Sequence, residues 1–230
     1  MKKIIIFLIL LTGIFIGIKS YNYKVNDKYS FNGDLIKQVS SNTSNYTTID
    51  KIPQNLKNAI ISIEDKRFYK HKGFDVKAIA RSILTDLKER KVKVGGSTIT
   101  QQLIKNLFLS SEKTIYRKIK EIFLAIKLEK KYSKDEILEM YLNLIYFGDG
   151  AYGIQNASQK YFHKNVWELS LDECAMLAGL PQAPSAYNPN KNYEMAKKRQ
   201  QQVLNSMIKN GFINKNTEKS NNKQMIFVGY

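Results

Sequence analysis

Apolar residues recur at helical spacing through most of this chain. Val76, Ile79, Ala80, Ile83, Leu84 and Leu87 fall on one face of a helix; Ile115, Ile119, Ile122, Phe123 and Ile126 fall on one face of another. Helix starts are marked by a hydroxyl residue followed three positions later by Glu or Gln. This capping-box spacing occurs at Thr98 with Gln101, Ser133 with Glu136 and Ser170 with Glu173. Pro181 and Pro184 follow the third of these helices, and a last one carries Ala196, Val203, Leu204 and Met207 before Gly211 stops it. No strand-like alternation of useful length appears in this body, and no internal repeat. The pattern predicts a mainly α fold.

The amino terminus follows a different pattern. Lys2-Lys3 precede an apolar run from Ile4 to Ile18, broken only by Thr12 and two glycines, and Lys19 follows it. The run falls short of the ~20 residues that span a bilayer. Lys19 can snorkel and Tyr21 and Tyr23 suit the interface, which lengthens the usable span. No A-x-A cleavage site follows, so the reading is a single uncleaved transmembrane helix over residues 1–22, with the paired lysines inside. The body of the chain then lies on the extracytoplasmic face of the cell membrane. Residues 23–50 are rich in Asn, Ser and Thr and read as an extended stalk, 51–213 as the folded domain, and 214–230 as a polar tail.

Composition narrows the chemistry. The chain has 230 residues, 43% of them hydrophobic, enough for one domain with a real core. Lys and Arg outnumber Asp and Glu 37 to 20, a net charge of +17, which favours an anionic partner. A body outside the cytoplasm leaves an anionic membrane surface or a phosphorylated substrate rather than nucleic acid. The lone Cys174 excludes an internal disulfide, and its apolar neighbours mark it as a small buried hydrophobe. One cysteine and two histidines give no zinc pattern, so no metal ligand is assigned.

Three stretches carry candidate chemistry. Glu64 follows the apolar run Ile60-Ile61-Ser62-Ile63; burial there would raise its pKa, while Lys66, Arg67 and Lys70 push the other way. Gly95-Gly96-Ser97-Thr98 opens a helix whose free N–H groups favour an anion, with Gln101, Gln102 and then Lys105 one turn beyond Gln101. No Gly-Lys-Ser/Thr follows the glycines, so this is not a P-loop. Arg117 and Lys120 share a helix side, with Lys113 one turn earlier and Glu121 one turn after Arg117. Guanidinium forks suit phosphate oxygens. Each stretch alone also reads as an ordinary helix cap or solvated charged face.

Together they resemble the peptidoglycan glycosyltransferases of glycosyltransferase family 51. Five motifs occur in order: Glu64-Asp65-x-x-Phe68-x-x-His71-x-Gly73; Gly96-Ser97-Thr98-Ile99-Thr100-Gln101-Gln102 with Lys105-Asn106; Arg117-Lys118-x-x-Glu121; Lys134-x-x-Ile137-Leu138-x-x-Tyr141-Leu142-Asn143; and Arg199-x-x-x-Val203-Leu204. Lys113 departs from the pattern, standing where Arg is common, and keeps the charge without the bidentate geometry.

The resemblance implies a lysozyme-like, bilobal, mainly α domain. It implies transfer of the growing glycan from undecaprenyl pyrophosphate to the GlcNAc 4-hydroxyl of lipid II, forming a β-1,4 bond with inversion. It assigns Glu64 as general base and Glu121 as the second acid. Arg81, Lys105, Lys113, Arg117 and Lys120 match phosphate contacts; Ser97 and Gln101 match polar ones. Implied partners are lipid II, the nascent chain and the cytoplasmic membrane. A divalent cation, Mg2+ or Mn2+, and other cell-wall synthesis proteins stay open. Ser110-Ser111-Glu112-Lys113 and Ser206-Met207-Ile208-Lys209 match S-x-x-K by spelling, but no Lys-Thr-Gly occurs, so a monofunctional polymerase is expected. The rival readings are a glycan-cleaving lysozyme-like enzyme and a tethered binder of anionic polymers.

Overall fold

The computed structural model of the chain describes residues 34–89, 96–109 and 114–214. Helices follow in the order α1 (Leu35–Asn42), α2 (Gln54–Glu64), α3 (Val76–Glu89), α4 (Ile99–Phe108), α5 (Ile115–Lys131), α6 (Lys134–Leu144), α7 (Ile154–Phe162), α8 (Leu171–Gly179) and α9 (Tyr193–Lys209). Short 3-10 turns lie at Phe68–Lys70, Val166–Glu168 and Leu180–Gln182. Among the described residues no strand forms, and one isolated bridge pairs Tyr146 with Tyr152. The mainly α expectation therefore holds.

All three capping boxes form as the sequence spacing predicts, at the starts of α4, α6 and α8. Each satisfies two N–H groups that the helix cannot satisfy itself. The core has two parts. In one, α8 packs between α2 and α9; in the other, α4 packs against α5 and α6. Every residue of α8 except Glu173 is buried, so it is a central helix rather than an amphipathic one. Cys174 on α8 is fully buried, and burial pushes its thiol up to about 12, which fits the hydrophobe reading. Leu56, Ile60, Leu103, Leu124 and Leu138 are fully enclosed, each contributing about 1.5–3 kcal/mol against exposure.

The expected stalk does not run to residue 50. Asp34 caps α1, accepting from the N–H groups of Ile36 and Lys37, and Leu35 and Val39 are buried. Asn143 then grips the Thr47 backbone from both sides: it accepts from the N–H at 2.8 Å and donates to the C=O at 2.8 Å. Glu139 accepts from Tyr46 Oη at 2.6 Å and from the Ile49 N–H at 2.7 Å. Residues 34–50 are thus part of the domain. Their polar composition hid this, because their partners on α6 lie about 90 or more residues away. The predicted anchor, residues 1–22, lies outside the described residues, as does the tail beyond Asn214. Among the described residues no helix is long and apolar enough to cross a membrane.

One glycine allows the turn after α2 to approach α5 closely. Gly73 has φ +92°, and a Cβ there would sit 2.7 Å from the backbone of Ala125 on α5. Its C=O accepts from Thr98 Oγ1 at 2.8 Å, at the start of α4. A side chain at 73 would push α5 away and break this link.

Candidate functional site

Glu64 is the last residue of α2, where the apolar face formed by Leu56, Ala59, Ile60 and Ile61 ends. The helix stops because the chain turns at Asp65, whose N–H still donates to the Ile61 C=O. This puts the Glu64 carboxyl at the core boundary, with its side chain 13% exposed. Gln102 Nε2 on α4 donates to Oε2 at 2.9 Å, and Tyr141 Oη on α6 donates to Gln102 Oε1 at 3.1 Å. Arg199 Nη2 on α9 lies 3.9 Å from Oε1. Burial raises the Glu64 pKa above its ordinary value; the Gln102 hydrogen bond and the Arg199 charge oppose that, and the Asp65 charge adds to it. Tyr141 is fully buried and its hydroxyl is held far above its ordinary pKa, chiefly by burial, so it is a fixed donor.

The residues behind Glu64 are locked. Asp65 Oδ2 accepts from His71 Nε2 at 2.8 Å and from the Ile99 N–H, at the start of α4, at 3.1 Å. On its other side His71 Nδ1 lies 3.7 Å from Glu129 Oε1. That oxygen also receives Thr100 Oγ1 at 2.6 Å and Lys134 Nζ at 2.7 Å. Lys134 also sits 4.5 Å over the Phe68 ring. Burial lowers its pKa, and the Glu129 hydrogen bond opposes this. The cluster ties α4, α5 and α6 to the turn after Glu64. It therefore holds Gln102 in register with the carboxyl.

A cavity of about 240 Å³ opens beside Glu64; Arg81, Ser97, Lys66 and Lys209 also line it. Ser97 Oγ accepts from Lys118 Nζ at 2.7 Å. Lys118 also bonds Glu121 Oε1, while Arg117 Nη1 donates to Glu121 Oε2 at 2.6 Å. Glu121 is buried with both oxygens taken by cations, so it orients α5's positive groups toward Ser97. Arg117 Nε is buried without a partner among the described residues, leaving a donor to spare.

The structure thus gathers Glu64, Arg81 and Ser97 at one cavity and couples Arg117 and Glu121 to it through Lys118. Lys105 is exposed on α4 and Lys120 half-buried on α5; neither lines this cavity. Lys113 lies outside the described residues. Gln101, expected as a polar contact, stands at the start of α4 with its Nε2 unpartnered among the described residues. It is fully buried, and its Oε1 accepts from the Thr98 N–H at 3.0 Å, so it serves the capping box. Its neighbour Gln102 reaches Glu64 instead. Sequence reasoning also left out Tyr141, Lys118, Arg199, Lys66 and Lys209. The only signal for them was that the first three stand inside the quoted motifs.

Among the described residues no group of three or more His, Cys, Asp or Glu is placed to hold a metal ion. Glu121 has no open oxygen for a hard cation, and Glu64 alone supplies too few.

The family model described as Transglycosylase matches residues 32–208. Penicillin-binding protein 1A of Neisseria gonorrhoeae is 51% identical over 185 residues, which is 80% of this chain and 23% of that protein. Penicillin-binding protein 1A of Aquifex aeolicus is 47% identical over 190 residues, 83% of this chain and 26% of that protein. The chain therefore spans about a quarter of the length of these relatives. A crystal structure of penicillin-binding protein 1A from Haemophilus influenzae aligns with a TM-score of 0.48 at 23% identity, over 80% of this chain and 18% of that one.

Proposed function

The chain belongs to the transglycosylase family, and from that premise we infer that it polymerises the glycan strands of peptidoglycan. The donor is a growing chain on undecaprenyl pyrophosphate, and the acceptor is lipid II. The acceptor's 4-hydroxyl attacks the donor's anomeric carbon while Glu64 takes the hydroxyl proton. The bond to pyrophosphate breaks, the electron pair leaves with the phosphate oxygen, and a β-1,4 bond forms with inversion.

One observation carries this reading: the buried Glu64 carboxyl opens on a cavity rimmed with cations. A sugar hydroxyl is a weak nucleophile, and a general base with a raised pKa has more driving force for taking its proton near neutral pH. Gln102 and Arg199 orient the carboxylate and favour its charged form. The leaving pyrophosphate gathers charge, and fixed cations stabilise that charge most as the bond breaks. In this reading Arg117 and Lys118, held by Glu121, supply the cations beside Ser97. Glu121 is then a positioning acid rather than a proton carrier.

The same reading takes residues 1–22 as a membrane anchor, with the catalytic domain extracytoplasmic and lysozyme-like in its two lobes. Residues 34–50 belong with the domain because α1 and its following loop pack on α6. An anchored enzyme meets its lipid-linked substrates in two dimensions.

The test is polymerisation of lipid II by the full chain in detergent, with products resolved by length. Glu64→Gln is expected to lose at least about a hundredfold in rate without a fall in melting temperature. Polymer at the wild-type rate from Glu64→Gln would remove the general base from this scheme.

A further inference from the structure

The two oxygens of the Glu64 carboxyl are held in different ways. Oε2 accepts from Gln102, which Tyr141 fixes in turn. Oε1 accepts no hydrogen bond among the described residues and faces Arg199 Nη2 at 3.9 Å. At that separation the guanidinium acts through its charge rather than a hydrogen bond. Its effect on the carboxyl therefore depends on where the guanidinium is kept.

Arg199 is kept in place from three sides. Nε donates to the Gly179 C=O, at the end of α8, at 3.2 Å, and Nη1 donates to Gln202 Oε1 at 3.1 Å. A Cβ on Gly179 would lie 2.8 Å from Arg199 Cγ, so the bare glycine lets the stem pass. The third side is Tyr187, whose ring centroid lies 5.5 Å from the guanidinium carbon. A guanidinium over a ring face is held by the ring's quadrupole, more strongly where water is excluded. Arg199 is buried and Tyr187 half-buried.

Tyr187 is itself anchored in the loop before α9. The Ala183 C=O accepts from the N–H groups of Ala186 and Tyr187, both at 3.0 Å. The next residue, Asn188, is buried; its Oδ1 accepts from the Asn190 N–H at 2.9 Å. Its C=O accepts from the N–H groups of Lys191 and Asn192 at 3.1 and 2.8 Å. The loop is thus pinned on both sides of the ring.

We propose that Tyr187 is a positioning residue for Glu64, acting through Arg199. The inference rests on the polymerase reading for what Glu64 does. Two tyrosine-backed arms then hold the carboxylate: Tyr141 behind Gln102 at Oε2, and Tyr187 behind Arg199 at Oε1. The second arm works by charge, so Oε1 stays open to the proton of the incoming hydroxyl. Burial and the Asp65 charge favour the protonated carboxyl, while Gln102 and Arg199 oppose them. The other charged groups around the cavity are Lys66, Asp75, Arg81 and Lys209. A substitution at Tyr187 removes none of these, so a change in the Glu64 titration reports the placement of Arg199.

The test is a carbon-13 NMR titration of the full chain labelled at its glutamate carboxyls. The Glu64 signal is identified by its loss in Glu64→Gln. Tyr187→Leu and Tyr187→Met remove the ring face while staying apolar. Both should raise the Glu64 midpoint, by less than Arg199→Ala does. Tyr187→Phe keeps the face and should keep the midpoint. In the Arg199→Ala background Tyr187→Leu should add no further rise, because the two residues act as one unit. An unmoved midpoint in both apolar variants overturns the proposal, and so does a full further rise in that background. The acid limb of lipid II polymerisation should move with the midpoint. A raised midpoint beside an unmoved limb, or with no polymer made at all, would leave the arm standing and sink the reading of Glu64 as the polymerase's base.

Discussion

Glu64 and Asp65 are adjacent in sequence and lie in opposite electrostatic settings. Asp65 faces inward, where His71, the Ile99 N–H, Glu129, Thr100 and Lys134 form a closed set of partners. Glu64 faces the cavity with one firm hydrogen bond and one cation at 3.9 Å. The inner cluster is built to keep its charges still, because a buried charge without its partner is costly. The outer carboxyl is left short of partners, and burial therefore holds its proton more tightly than in water. A turn at the end of one helix separates the two settings. The locked side supplies rigidity to the side proposed to do the chemistry.

Substitutions on either side sharpen this contrast. The largest effect on stability is expected on the locked side. Glu129→Ala leaves Lys134 and His71 facing each other in a buried space, and it should cost about 3–5 kcal/mol in chemical denaturation. A loss below about 1 kcal/mol would mean the cluster is solvated and the two settings are alike.

Gly73→Ala comes next. It forces a side chain at φ +92° into the Ala125 backbone and should cost about 3 kcal/mol, lowering the melting temperature and turnover together. A variant as stable as the wild type would show that α5 can shift freely against α4.

On the cavity side the expected effects are smaller and depend on pH. Arg199→Ala removes a charge that favours the Glu64 carboxylate. The acid limb of the pH–rate profile should move upward. Arg199→Lys should restore most of that shift. An unmoved limb would mean Arg199 serves packing alone, through its stem over Gly179 and its bond to the Gly179 C=O at 3.2 Å.

The smallest effect is on stability in Glu64→Gln. The folded state keeps the Glu64 proton above the ordinary value of 4.5, where the unfolded chain has released it. Wild-type stability therefore falls as pH climbs from that value to the raised folded one, and stays lower beyond it. Glu64→Gln has no such fall. Its stability relative to wild type should rise across that window, read from denaturation midpoints at several pH values. A constant difference would mean Glu64 is fully solvated.

Much of the fold was legible in the chain. The helices with the clearest period formed, and the three hydroxyl-to-acid or -amide spacings became the caps they predicted. These signals are local: a capping box involves residues three apart. The stalk misreading has the complementary cause. Thr47 and Ile49 find their partners on α6, and nothing within a few residues of them announces that contact. At the site, the Arg117–Glu121 pair was visible because one helical turn separates its members. That Gln102 meets Glu64 was not. The spacing from Thr98 marks Gln101 for the cap, but only the packing of α4 against α2 decides what the neighbouring side chain, about 100° around the helix, will meet.

By itself the sequence determined the helical class, the helix starts, the excess of positive charge and the presence of a carboxylate at the end of an apolar run. Each of these is set within a turn or two of chain, or by composition. The tertiary structure alone decided which way that carboxylate faces, that Gln102 and Arg199 meet it, and that Lys66, Arg81 and Lys209 surround one cavity. Those relations join three or four helices distant in sequence. Only burial, through close packing and desolvation, brings such groups near enough to change one another's charge.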